Sequence, residues 1–111
     1  MLQTLNTTIA FLLELVMLVA FGYWGFHGDR STALKWILGL GIPLAAAVLW
    51  SMFLAPRSAY RLTSTAGNLL ALILFLLAAA ALYTTGHPVL AILLAVVAIV
   101  NRLLILAWKQ W

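Results

Sequence analysis

Residues 9–26 read IAFLLELVMLVAFGYWGF, and the reading of this stretch decides the fold. At 1.5 Å per residue a helix over it is about 27 Å long, close to the roughly 30 Å thickness of a bilayer's hydrocarbon core. It is apolar almost throughout but carries one acid, Glu14, well inside the run. A carboxylate at such a depth costs roughly 3 kcal/mol on insertion scales. The remainder of the chain is therefore expected to supply packing and a polar partner that make Glu14 tolerable.

Composition supports lipid as the solvent. Of the 111 residues, 67% are hydrophobic and 7% charged, against about 25% charged in soluble domains. A water-soluble core of this size could not hide so much apolar surface. The length leaves room for one domain, residues 1–111. The net charge is +4, but the basic residues are scattered and do not line one polar face, which argues against nucleic acid. No cysteine is present, which excludes disulfides, thiolate catalysis and cysteine-ligated metals. The first helix does not read as a cleavable signal peptide, since no Lys or Arg precedes it and Glu14 interrupts its apolar region.

Three further apolar runs follow, so the sequence predicts an all-α, integral membrane four-helix bundle, up-down-up-down. The spacing predicts helices over about Leu5–Phe26, Ala33–Leu54, Ala66–Thr85 and Val89–Trp108. Asn6, Thr7 and Thr8 offer caps at the first start, and Asp29 or Ser31 at the second. Pro56 marks the end of helix 2, because the residue before a proline resists the helical region. Gly86-His87-Pro88 makes a tight turn, with Gly suited to the end of helix 3 and Pro to the first turn of helix 4. Two aromatic belts bound the runs: Tyr23, Trp24, Trp36 and Tyr83 at one level, Trp50, Tyr60, Trp108 and Trp111 at the other.

Pro43 sits in the middle of helix 2 and frees the carbonyl of Gly39. In lipid that carbonyl needs protein beside it, so the kink at Pro43 and Gly39 should face a neighbouring helix. Gly39, Gly41, Ala45, Ala46 and Ala47 are small enough to admit one closely. A hinge or substrate path is the alternative use of the same break. Arg57, Arg61, Arg102 and Lys109 outnumber Arg30 and Lys35, which Asp29 offsets, so the positive-inside bias puts both termini in the cytoplasm.

Two charges lie well inside apolar runs, Glu14 and Arg102. Counted from the predicted helix ends, they fall at similar height, about 13 Å and 10 Å from the inner surface. A guanidinium fork takes a carboxylate well, so the two are expected to pair, directly or through water. Ala98, Ala95 and Ala91 continue the Arg102 face, and Thr7, Ala10, Met17, Phe21 and Gly25 the Glu14 face. Asn101 and Asn68 also fall in the inner half and are expected to complete a polar cluster with Trp50 and Ser51. A structural ion pair that fixes which helices face each other is one use of this cluster; a proton or cation site is the other. His27 and His87, near Asp29, could hold a metal, but two histidines on short loops are better read as solvated. No phosphate loop, Ser-His-Asp set or paired carboxylates occur, so no catalytic residue, metal or cofactor is expected and the chain is not read as an enzyme.

The segments FLLELVMLVAFGYWGF (11–26), IPLAAAVLWSMFLAPRSAYRL (42–62) and LYTTGHPVLAILLAVVAIVNRLL (82–104) resemble the YrdB-like family of small bacterial membrane proteins. The most specific parts are Glu14 with Gly22-Tyr23-Trp24-Gly25, Trp50 with Ala55-Pro56, and Asn101. The resemblance implies a four-helix integral membrane protein and no defined activity. It also implies an acid near the start of helix 3, where this chain has Asn68, which argues against a two-carboxylate site. The small multidrug resistance transporters share the length and a helix 1 carboxylate, but their helix 3 aromatic and glycine pattern is missing from AGNLLALILFLLAAAAL (66–82). The expected role is an accessory or structural subunit of a homo- or hetero-oligomeric complex in the cell membrane. It would touch lipid and a protein partner or its own copies through small-residue helix faces. The alternative is a small transporter or channel for protons or small cations that uses Glu14.

Overall fold

The computed structural model describes residues 1–55 and 58–110. The expectations placed on Pro56, Arg57 and Trp111 lie outside the described residues. Four α-helices follow one another, α1 (Leu2–Phe26), α2 (Thr32–Phe53), α3 (Ser64–Thr84) and α4 (Pro88–Ala107). All four are long and apolar enough to cross a membrane.

Three connections behave as their residue types require. Ser31 caps α2, its hydroxyl accepting from the Leu34 N–H at 3.2 Å, and Thr63 caps α3 in the same way through Ala66. At the end of α3, Gly86 turns with φ +90°, and the His87 N–H reaches the Leu82 carbonyl at 2.9 Å. That left-handed step is cheap for glycine, and Pro88 then starts α4 without a backbone N–H to lose.

The start of α1 differs from expectation. It begins at Leu2, with Met1 before it and no side-chain cap. Thr7 and Thr8 donate to the carbonyls four residues back, Gln3 at 3.1 Å and Thr4 at 3.0 Å. Hydroxyls satisfied in this way sit inside a helix and do not end it.

The end of α1 is held by Arg30, whose Nη1 donates to the carbonyls of Trp24 (2.7 Å), Gly25 (3.2 Å) and His27 (3.0 Å). Its guanidinium carbon lies 4.3 Å from the centroid of the Trp24 ring. A cation on the last carbonyls of a helix is stabilising. Arg30→Ala is expected to lower stability in detergent by about 1 kcal/mol, read from the unfolding midpoint, with Arg30→Lys in between because lysine lacks the planar fork.

α1 is the hub of the fold. It packs along α2 and meets both α3 and α4, while α3 and α4 pack on each other and α2 barely touches α3. The whole is a slab of 45 × 33 × 20 Å. Its centre is Phe75, fully buried, with Met17, Ala71, Ala78 and Ala98 around it. On the expected Arg102 face Ala98 and Ala91 are buried and Ala95 is half-buried; on the expected Glu14 face Ala10, Met17, Phe21 and Gly25 are buried and Thr7 is exposed.

The α1–α2 seam is made of glycines. A Cβ on Gly25 would stand 2.4 Å from the backbone of Leu38 and Gly39, and one on Gly39 would stand 2.2 Å from the Phe26 ring. α2 runs on through Pro43. The Gly39 carbonyl that Pro43 frees faces Gly22 of α1, where a Cβ would come within 3.3 Å of it. The break therefore points at protein, as an unpaired carbonyl in an apolar setting requires. Of the other small residues of α2, Ala46 is buried, but Gly41 and Ala45 point outward. The seam crosses α2 near its first half and near Ala46, so helical rotation carries 41 and 45 to the far side.

Candidate functional site

The site is built where the start of α1 meets the end of α4, and two asparagines set its register. Asn101 donates through Nδ2 to the Asn6 backbone carbonyl at 2.9 Å and to Asn6 Oδ1 at 2.8 Å. Asn6 Nδ2 returns a bond to Gln110 Oε1 at 2.8 Å and reaches the Asn101 carbonyl at 3.5 Å. Both asparagines are almost completely buried, 4% and 2% exposed. Buried amides need partners, and each of these is the partner of the other.

Gln110 closes the end. Lys109 adopts a left-handed conformation, φ +53°, and the Gln110 N–H reaches the Ile105 carbonyl at 3.0 Å. This is the six-to-one bond of a Schellman turn. It turns Gln110 back onto α1, where Nε2 donates to the Gln3 carbonyl at 2.7 Å and Thr7 Oγ1 at 3.2 Å.

Arg102 is 5% exposed. Its guanidinium donates to Asn101 Oδ1 from Nη2 (2.9 Å) and Nε (3.3 Å), and from Nη1 to Asn68 Oδ1 (3.5 Å). Asn68 is held in turn by the Ser64 carbonyl at 2.8 Å. The guanidinium carbon lies 5.6 Å from the centroid of the Phe75 ring, whose centroid is 5.6 Å from that of Trp50. Phe75 thus lies against a cation at one contact and an indole at another, and ties α2, α3 and α4 together below the polar cluster.

Glu14 is partly buried. The Trp50 side chain stands near its carboxylate, and Arg102 acts on it electrostatically. A cavity of about 120 Å³ separates the groups, lined by Thr7, Glu14, Trp50, Arg61, Arg102 and Gln110 among others.

The structure thus brings Glu14, Arg102 and Trp50 to one cavity and joins Asn101 and Asn68 to Arg102. Among the described residues Glu14 and Arg102 make no direct ion pair, and the cavity they share leaves room for the expected pairing to run through water. Register keeps the two apart. The Asn6–Asn101 contact puts the Arg102 backbone beside the first turns of α1, whereas Glu14 is eight residues further on, about 12 Å along the axis. Side chains lean toward the start of their own helix. Because residues late in α1 face residues early in α4, Glu14 and Arg102 lean toward each other and close only part of that gap. Ser51 is exposed and donates to the Val48 carbonyl at 2.8 Å, outside the polar cluster.

Sequence reasoning missed Asn6, Gln110, Arg61 and Phe75 as members of the site. Asn6 carried the signal of a helix cap, and Gln110 that of a polar tail. At the opposite end His27 and His87 flank the Tyr23 ring at 5.5 and 5.4 Å between centroids. Among the described residues no group of three or more metal-binding side chains comes together.

A family model described as protein of unknown function (DUF2568) matches residues 8–99, a span that takes in Glu14, Trp50 and Asn68 but ends before Asn101 and Arg102. No curated protein and no solved structure gives a match.

Proposed function

We propose the following role for this chain, which belongs to the DUF2568 family: a multi-pass protein of the cell membrane that serves as an accessory or structural subunit, without catalysis of its own, in a homo- or hetero-oligomeric assembly. The observation that carries this reading is the position of α2. It leans on α1 and leaves Gly41 and Ala45, one helical turn apart, facing outward. A Cβ on Gly41 would meet nothing within 4 Å. A small-xxx-small pair on an outward face lets a second helix backbone approach closely in lipid.

Cross-linking in native membrane, followed by sizing in mild detergent, tests the role. The parent chain is expected in a complex, and Gly41→Leu is expected to release it as a folded monomer. A chain that runs as a lone monomer in both tests refutes the reading. We place both termini in the cytoplasm, with the helices up-down-up-down, on the positive-inside bias. The absence of native cysteine makes single-cysteine labelling at Ser31 and Ser58 a clean check of sidedness. The YrdB-like likeness supports a bacterial inner membrane.

A second reading, a transporter or channel for protons or small cations, is favoured by one observation: Glu14 lines two cavities at once. Flux into proteoliposomes that is lost in Glu14→Gln supports it, and equal flux in parent and variant removes it.

A further inference from the structure

Glu14 and Trp50, which line the polar cavity, also line a second space. This apolar groove of about 210 Å³ continues from them along the α1–α2 seam past Met17, Leu18 and Ala47. It reaches the outer surface of the bundle at Ser51, which is exposed. The polar part carries groups of both signs, Glu14 on one wall and Arg102 on another. Arg102 uses three of its five N–H groups on Asn101 and Asn68, which leaves two for the cavity.

A ligand that fits must bring an ammonium and a phosphate a few bonds apart, together with an apolar tail. We infer that the cavity binds the headgroup of an aminophospholipid with a primary amine, and that one acyl chain lies in the α1–α2 groove. The ammonium meets Glu14 in a charge-assisted hydrogen bond, with Trp50 beside it on the same cavity. The phosphate meets Arg102, whose planar donors suit phosphate oxygens. The bound lipid would fill the gap that register leaves between Glu14 and Arg102. This inference depends on membrane embedding but not on the subunit role. A chain that assembles without lipid preference sinks only the lipid site, and a monomer with the preference sinks only the subunit reading.

The test is native mass spectrometry of the purified full chain in mild detergent. Phosphatidylethanolamine, phosphatidylcholine and phosphatidylglycerol with matched acyl chains are offered at equal concentration. One phosphatidylethanolamine per chain is expected, retained at least tenfold over the others. Phosphatidylcholine has no N–H to give Glu14, and phosphatidylglycerol has no cation. In Glu14→Gln the preference for phosphatidylethanolamine over phosphatidylglycerol should fall to about one. Equal retention of the three lipids by the parent chain overturns the inference without recourse to any variant. So does an unchanged preference in Glu14→Gln. Soluble phosphoethanolamine marks the alternative source: if it raises the melting temperature as much as the lipid does, the groove has no share and the lipid assignment fails.

Discussion

Gly25→Ala is expected to part α1 from α2 and to destabilise the protein by more than about 3 kcal/mol, beyond the usual range for one added core methyl. The methyl would stand 2.4 Å from the Gly39 nitrogen and the Leu38 carbonyl carbon, and 2.5 Å from the Gly39 Cα. These are backbone atoms, and no rotamer change relieves them. The only relief is to move α2, which has little other support. Two comparisons isolate the cause. Gly39→Ala meets the Phe26 ring, an exposed side chain that can swing away from its edge-on contact with Trp36, so the penalty should be smaller. Gly41→Ala meets nothing and should be neutral or stabilising by about 0.5–1 kcal/mol, since alanine is the better helix former. Denaturant titration of the three variants in mixed micelles reads these differences. Equal midpoints for Gly25→Ala and Gly41→Ala would show that the helices do not meet at Gly25.

Asn101→Leu is expected to cost about 3 kcal/mol. The substitution removes the acceptor of two guanidinium bonds and the donor of two bonds to Asn6. It leaves a buried cation with Asn68 at 3.5 Å as its remaining acceptor among the described residues. Unmet buried polar groups cost about 1–3 kcal/mol each, and more when charged. Breaking a buried charged network by removing one partner costs about 3–5 kcal/mol. Interhelical bonds in lipid are often worth less, about 0.6 kcal/mol on average, so the charge on Arg102 decides the size. A double-mutant cycle with Arg102→Leu separates the terms. A coupling energy well above 0.6 kcal/mol is expected, because the two side chains share their bonds. Additive losses would show that Asn101 matters to Asn6 alone.

The four helices were legible because 20-residue apolar runs have few other fates and because Gly86 and Pro88 punctuate the tightest connection. Their contacts were less so. Asn6 was read as a cap, since capping and interhelical pairing employ the same short polar side chains, and the choice depends on a partner far away in the chain. A direct Glu14–Arg102 contact rests on depths counted from assumed helix ends. Starting α1 at Leu5 in place of Leu2, and assuming flush ends, hid the offset that the Asn6–Asn101 register imposes. Arg30 reads only as a loop charge in the sequence, because the three carbonyls it holds are backbone atoms that any sequence would offer. Pro43 was the converse case. A proline within an apolar helix must find protein for the carbonyl it frees, and Gly22 stands opposite it.

The two amides that lock α1 to α4 are separated by 95 residues, and synthesis makes them in that order. Asn6 is made while its counterpart is still missing, and α1 carries an unpaired amide until α4 arrives. A nascent chain that stalls, or one truncated before α4, keeps that amide unpaired. The contact that joins α1 to α4 therefore cannot form before the last helix has been made.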